Sequence, residues 1–150
     1  MSQQKLATLH IDGKLESGIK NSVSVRDLPA FIIDEPERLG GSNKGPNPLE
    51  YLLGSLSACT SIIASYVAKD QSFSYHGLEF SCDGTLDPRG YQGIEGVQTY
   101  FQTVRINIII DTKESNEALE KLSVEVERRC PIFNLLKDAG VEVVSNWSKK

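Results

Sequence analysis

Methionine and tryptophan occur once each in 150 residues, histidine twice and cysteine three times. That scarcity excludes a good deal. His10 and His76 are isolated, and Cys59, Cys82 and Cys130 stand far apart. There is no CxxC and no short ligand spacing, so neither a zinc ribbon nor a secreted disulfide scaffold is expected. No metal and no cofactor is expected. Positive charge is also in short supply: Lys+Arg 16 against Asp+Glu 20 leave a net charge of -4. That balance argues against a nucleic-acid partner, whose phosphates must be neutralised. The opening MSQQKLATLHIDG has no apolar signal core, so no export is expected. The expectation is a cytoplasmic protein with reduced thiols.

What is present is ordinary for a globular chain: 39% hydrophobic and 24% charged residues. A chain of this length buries roughly 70% of its unfolded surface, enough for one core. One domain, 1–150, is expected, with no repeat and no linker.

The chain opens with strand character over residues 4 to 33. Leu6, Thr8 and His10 alternate with Ala7, Leu9 and Ile11, Asp12-Gly13 reads as a hairpin turn, and Val23, Val25 and Ala30 to Ile33 continue the pattern. Residues 34 to 48, DEPERLGGSNKGPNP, form a loop. Its GGSNKG lacks the GK[ST] of a phosphate-binding loop and reads as a turn. A helix from Leu49 to Ala68 follows, with Asn47 as N-cap, Pro48 at the first position and Glu50 at the third. Leu52, Leu56, Cys59, Ile63 and Tyr66 form one helical stripe. The segment is about a membrane span long, but its serines and Thr60 suit a buried core helix, so no membrane partner is expected. Strands are expected over 73–83, with Leu78, Phe80 and Cys82 on one face, over 98–110, and at 141–144. Helices are expected over 111–129 and 131–139, broken at Cys130-Pro131 and ended by Gly140. Strands, long helix, strands, helices and strand make an α+β pattern.

Two cysteines have the setting for chemistry. Cys130 is the N-cap of a helix opened by Pro131. There the helix-terminal N–H groups, with Arg128 and Arg129, favour a thiolate. Cys59 lies mid-helix on an apolar stripe, where a thiol alone is inert, so a cation must reach it through tertiary structure. Cys82, on an apolar strand face, reads as core. Tyr51, Tyr91, Phe101, Phe133 and Trp147 are candidates either for core or for an apolar pocket.

The run GGSNKGPNPLEYLLGSLSACTSI, with CPIFNLL and VEVVSNW some seventy residues later, resembles the OsmC/Ohr superfamily over nearly the whole chain. The DEP before the glycine pair is similar to an OsmC-like branch rather than to Ohr itself. The resemblance implies an OsmC-like fold, with antiparallel sheets wrapped around long central helices in an intertwined homodimer. It implies a cysteine peroxidase for organic hydroperoxides. Cys59 would be peroxidatic and Cys130 resolving, and a dithiol of lipoyl type would be the reductant. It also implies an arginine that holds the thiolate, with Arg26 the first candidate and Arg38 the second, and a glutamate that orients it. The family's glutamate directly follows Asn-Pro. Here that position is Leu49 and the acid is Glu50, about 180° around the helix from Cys59. Glu50 has an alternative role as a capping acid. On the same fold, the alternative function is a non-catalytic protein that binds a small ligand.

Overall fold

The Asn47-Pro48 signal marks the strongest local structure in the chain. The computed structural model describes residues 3–150, and its longest helix, α1, runs Pro48–Gln71. A reciprocal capping box closes its start. The Asn47 side chain accepts from the Glu50 N–H at 2.8 Å, and the Glu50 carboxylate accepts from the Asn47 N–H at 2.8 Å. Proline costs nothing at this position, where its absent N–H would have no partner.

The chain divides into two compact units, the first ending at Tyr51 and the second spanning Leu52–Lys150. The first unit holds β1 (Asp12–Ser17), β2 (Lys20–Ser24) and β3 (Phe31–Ile33) in an antiparallel meander. Residues 4–11, expected as strand, are irregular and exposed. The hairpin turn is at Gly18-Ile19, where Ser17 pairs with Lys20, and not at Asp12-Gly13, which opens β1. Gly18 takes φ +57°, as a tight two-residue hairpin requires and as aspartate followed by a paired glycine does not supply.

The loop after β3 is organised around one carboxylate. Asp34 is 1% exposed and accepts from the N–H groups of Glu35 (2.8 Å), Ser42 (3.2 Å) and Lys44 (3.1 Å), and from the Ser42 hydroxyl (2.6 Å). A Cβ at Gly41 would collide with the Glu35 carbonyl, and one at Gly45 with that of Ile32. The glycines let the backbone wrap the carboxylate closely enough for its N–H groups to reach.

The second unit is α+β. β5 (Thr103–Asp111) is central, antiparallel to β4 (Gly77–Thr85) and parallel to β6 (Glu142–Lys149). The parallel pair departs from the wholly antiparallel sheets expected. It is possible because two helices, α2 (Asn116–Arg129) and α3 (Pro131–Asp138), form the crossover between β5 and β6. β6 is also longer than the expected 141–144, running on through Trp147.

Val104, Ile106, Ile108 and Ile110 of β5 are all buried on one face, as their alternation predicts. Ile110 joins Ala64, Val67, Ala68 and Phe73 from α1 and its exit, and Leu119, Leu122 and Val126 of α2, in one apolar cluster. Each large side chain so buried contributes about 1.5–3 kcal/mol.

The buried face of α1 is rotated from the expected stripe. Leu56, Ser57, Thr60, Ala64, Val67 and Ala68 face inward, Cys59 is half-buried, and Tyr66 is exposed. Apolar spacing misplaces this face because two of its members are polar by type but satisfied locally. Ser57 donates to the Leu53 carbonyl at 2.9 Å and Thr60 to that of Leu56 at 2.8 Å, so neither hydroxyl is buried unpaired.

The Ser42 hydroxyl, with the surrounding N–H groups, outweighs burial and lowers the Asp34 pKa to about 2. A depressed carboxylate stabilises the fold above its unfolded pKa, near 3.9, and loses that contribution as pH falls through the folded value. A carbon-13 titration of the Asp34 carboxyl is expected to give a midpoint near 2. A midpoint at the ordinary aspartate value would mean that the loop does not hold it.

Candidate active site

Two cysteines seventy residues apart meet in the second unit. α2 ends because Pro131 has no N–H to offer and its ring would crowd the carbonyl four residues back. The chain turns at Cys130, which is extended (φ -73°, ψ 114°), and α3 begins at Pro131. Cys130 is fully buried and Cys59 half-buried. The Cys130 thiol lies near the Cys59 sulfur and raises its pKa, and the nearby Ile132 N–H lowers it.

This reverses one expectation. Cys130 is the N-cap of α3 by position, but its side chain makes no capping hydrogen bond. The exposed end of α3 serves Cys59 instead, through Ile132. The flanking arginines are also engaged elsewhere. Arg128 binds Glu125 at 2.7 and 2.8 Å, and Arg129 binds Asp70 at 2.7 Å. The sequence motif identifies the helix start correctly. It cannot identify which thiol the backbone N–H reaches, because that depends on the corner's direction in space.

Burial pushes the Cys59 thiol above its ordinary pKa, and the neighbouring Cys130 thiol pushes it further, while the Ile132 N–H opposes both. This environment favours the neutral Cys59 thiol over its thiolate.

The remaining candidates fall as follows. Arg26 is exposed and lies in a turn after β2 rather than in a strand. It has φ 51°, and the Leu28 N–H closes the turn on the Val25 carbonyl at 3.1 Å. A left-handed arginine costs roughly 1–2 kcal/mol. Arg38 lies in a short 3-10 turn, Glu37–Leu39. Glu50 is committed to the capping box. Cys82 of β4 is half-buried beside Ser57, its pKa raised first by burial. His10 and His76 are exposed. Among the described residues no group of three or more His, Cys, Asp or Glu side chains is arranged to hold a metal. Phe101 and Phe133 are core, and Tyr91 is exposed. Trp147 lines an open groove of about 550 Å³ between α2 and β6, with Leu119, Ser123 and Ser145.

The family model for OsmC-like proteins matches residues 41–146. The chain belongs to the OsmC-like family. Solved structures share the fold at low identity. An OsmC-like protein from Mycoplasma pneumoniae superposes with a TM-score of 0.83 at 19% identity, covering 95% of this chain and 97% of that one. An organic hydroperoxide resistance protein from Elizabethkingia anophelis, with crystallant-derived thiocyanate bound, gives 0.77 at 19%, covering 99% and 100%. An organic hydroperoxide resistance protein from Legionella pneumophila gives 0.70 at 20%, covering 98% and 99%. Among curated proteins none matches the sequence. Cys59 and Cys130 both fall within the residues that the OsmC-like family model matches.

With both candidate arginines removed (Arg26→Ala with Arg38→Ala), Cys59 is left to burial and its neighbouring thiol. Alkylation of the reduced variant by iodoacetamide is then expected to show a Cys59 midpoint above the ordinary cysteine value of about 8.5. A thiol pKa raised by folding stabilises the native state below the unfolded value, a contribution lost as pH rises through the folded one. A midpoint well below 8 would mean that another cation reaches the sulfur.

Proposed function

We propose that this protein is a thiol peroxidase that reduces organic hydroperoxides through a Cys59–Cys130 disulfide. The observation that carries the reading is the meeting of the two thiols, one of them half-exposed and touched by a helix-terminal N–H. The Cys59 thiolate attacks the terminal peroxide oxygen and the O–O bond breaks. The products are Cys59 sulfenic acid and an alkoxide, which takes up a proton to leave as the alcohol. Cys130 then attacks the sulfenic sulfur, releasing water and forming the disulfide. A small dithiol returns the pair to thiols and is itself oxidised to a disulfide. That the two hydroperoxide resistance proteins above share the fold supports this substrate class.

Arg26 is the residue we assign to hold the thiolate, with Glu50 a helix cap rather than its partner. The protein works as a cytoplasmic homodimer. Apolar side chains left exposed on α1, Ile62 and Tyr66, support a second copy as partner. The raised pKa of Cys59 favours a second reading, a binder of small ligands in which the thiols are inert.

Peroxide titration of the reduced protein, with thiols counted by mass spectrometry, separates the two. Cumene hydroperoxide is expected to consume two thiols per chain, faster than hydrogen peroxide does. Cys59→Ser should abolish the reaction, and Cys130→Ser should stop it at the sulfenic acid. Arg26→Ala should slow the first step at neutral pH by about tenfold or more, since one pKa unit is a factor of ten in thiolate. Slow oxidation that does not distinguish the peroxides would overturn the peroxidase and leave the binder.

A further inference from the structure

The corner between α2 and α3 leaves a deficit of donors. In a continuous helix the N–H of residue 131 would bond the Glu127 carbonyl, and the N–H of Ile132 would bond that of Arg128. Pro131 has no N–H. The Ile132 N–H makes no backbone bond back to the Arg128 carbonyl and lies near the Cys59 sulfur instead. Two carbonyls at the end of α2 therefore lose their backbone partners beside a fully buried residue, Cys130.

The side chain of Asn134 fills that deficit. Its Nδ2 donates to the Glu127 carbonyl at 2.9 Å, to that of Arg128 at 3.2 Å and to that of Cys130 at 2.8 Å. The Cys130 carbonyl also accepts the Asn134 backbone N–H, at 3.1 Å. One amide group thus joins the last turn of α2, the corner residue and the first turn of α3. Three carbonyls converging on one atom require a donor there, and an isosteric carboxylate would be repelled.

We propose that Asn134 is a positioning residue for the thiol pair: its amide replaces the two backbone donors that Pro131 lacks and Ile132 diverts, and so keeps Cys130 and the Ile132 N–H against Cys59. Asn134 acts on the chemistry only through the corner. The consequence for turnover rests on the peroxidase reading, because a slack corner would leave the Cys59 sulfenic acid waiting for Cys130. The positioning itself is independent of peroxide.

The test compares Asn134→Asp, which keeps the shape and loses the donors, with Asn134→Gln, which keeps the donors. Both are measured far below their melting temperatures. The equilibrium of Cys59–Cys130 with dithiothreitol, oxidised and reduced, gives the reduction potential with no peroxide present. Asn134→Asp is expected to weaken the disulfide by about tenfold, a shift of about 30 mV to a less negative potential. It should also raise the pH midpoint for Cys59 alkylation. Asn134→Gln should recover part of both effects.

An unchanged potential and pH profile in Asn134→Asp, with only a lower Tm, would overturn the proposal. Should that variant fail to fold, the parent protein decides. Its Ile132 amide proton should shift as Cys59 titrates, and its Asn134 side-chain protons should exchange slowly with solvent. An Ile132 amide blind to Cys59 ionisation, or fast-exchanging Asn134 protons, would overturn it. A peroxide titration that fails while the potential shifts would remove the peroxidase reading and leave Asn134 in its role.

Discussion

A helix cannot run through Pro131, and the meeting of the two thiols depends on that fact. Without the break, α2 and α3 would form one rod, Cys130 would be an interior helical residue, and every N–H near it would be spent on a carbonyl. The break frees one N–H and turns the backbone so that a buried thiol meets a half-buried one on another helix. The carbonyls left behind are covered by a single side chain, Asn134. A local rule of covalent geometry thus becomes a tertiary contact between residues 59 and 130.

The contact also sets an electrostatic conflict. Bringing two thiols out of water favours the neutral forms, and ionising one beside the other makes ionising the second harder. A hydrogen bond from an N–H to a charged acceptor contributes about 1.5–3 kcal/mol, so the Ile132 N–H offsets a substantial part of the cost. Burial still wins, because the Cys59 pKa is raised. A full positive charge is larger: two unit charges 4 Å apart attract by about 4 kcal/mol at an effective dielectric of 20. That is enough to reverse the sign. The N–H alone therefore leaves the neutral thiol favoured, and a full positive charge beside the sulfur would be needed to populate the thiolate.

Much of the architecture was legible in the sequence because local rules set it. The α1 start at Asn47-Pro48-Leu49-Glu50, the buried face of β5 and the break at Cys130-Pro131 follow from capping, period-two alternation and proline sterics. The family was legible too, from the segments around Cys59 and Cys130. What was not legible depended on non-local geometry. Gly18 rather than Gly13 makes the first turn, because pairing of Gly13 with Val23 commits it to the strand. The buried face of α1 includes Ser57 and Thr60, whose hydroxyls are satisfied within the helix and so behave as small core residues. The direction of the Ile132 N–H could not be read from any side chain.

In the proposed cycle, burial would also order the two cysteines in time. Cys130 is closed to solvent while Cys59 keeps part of its surface open. A peroxide arriving from outside would meet Cys59 first, the sulfur that has the Ile132 N–H nearby. Oxidation of Cys59 would then leave an electrophilic sulfur beside a thiol that no peroxide has reached. Such an arrangement lets the second thiol act only on the product of the first. Cys82 has no such place: it lies in β4 opposite Ile106, with Ser57 nearby. Of three thiols in the chain, the fold brings two together and places the third in the sheet.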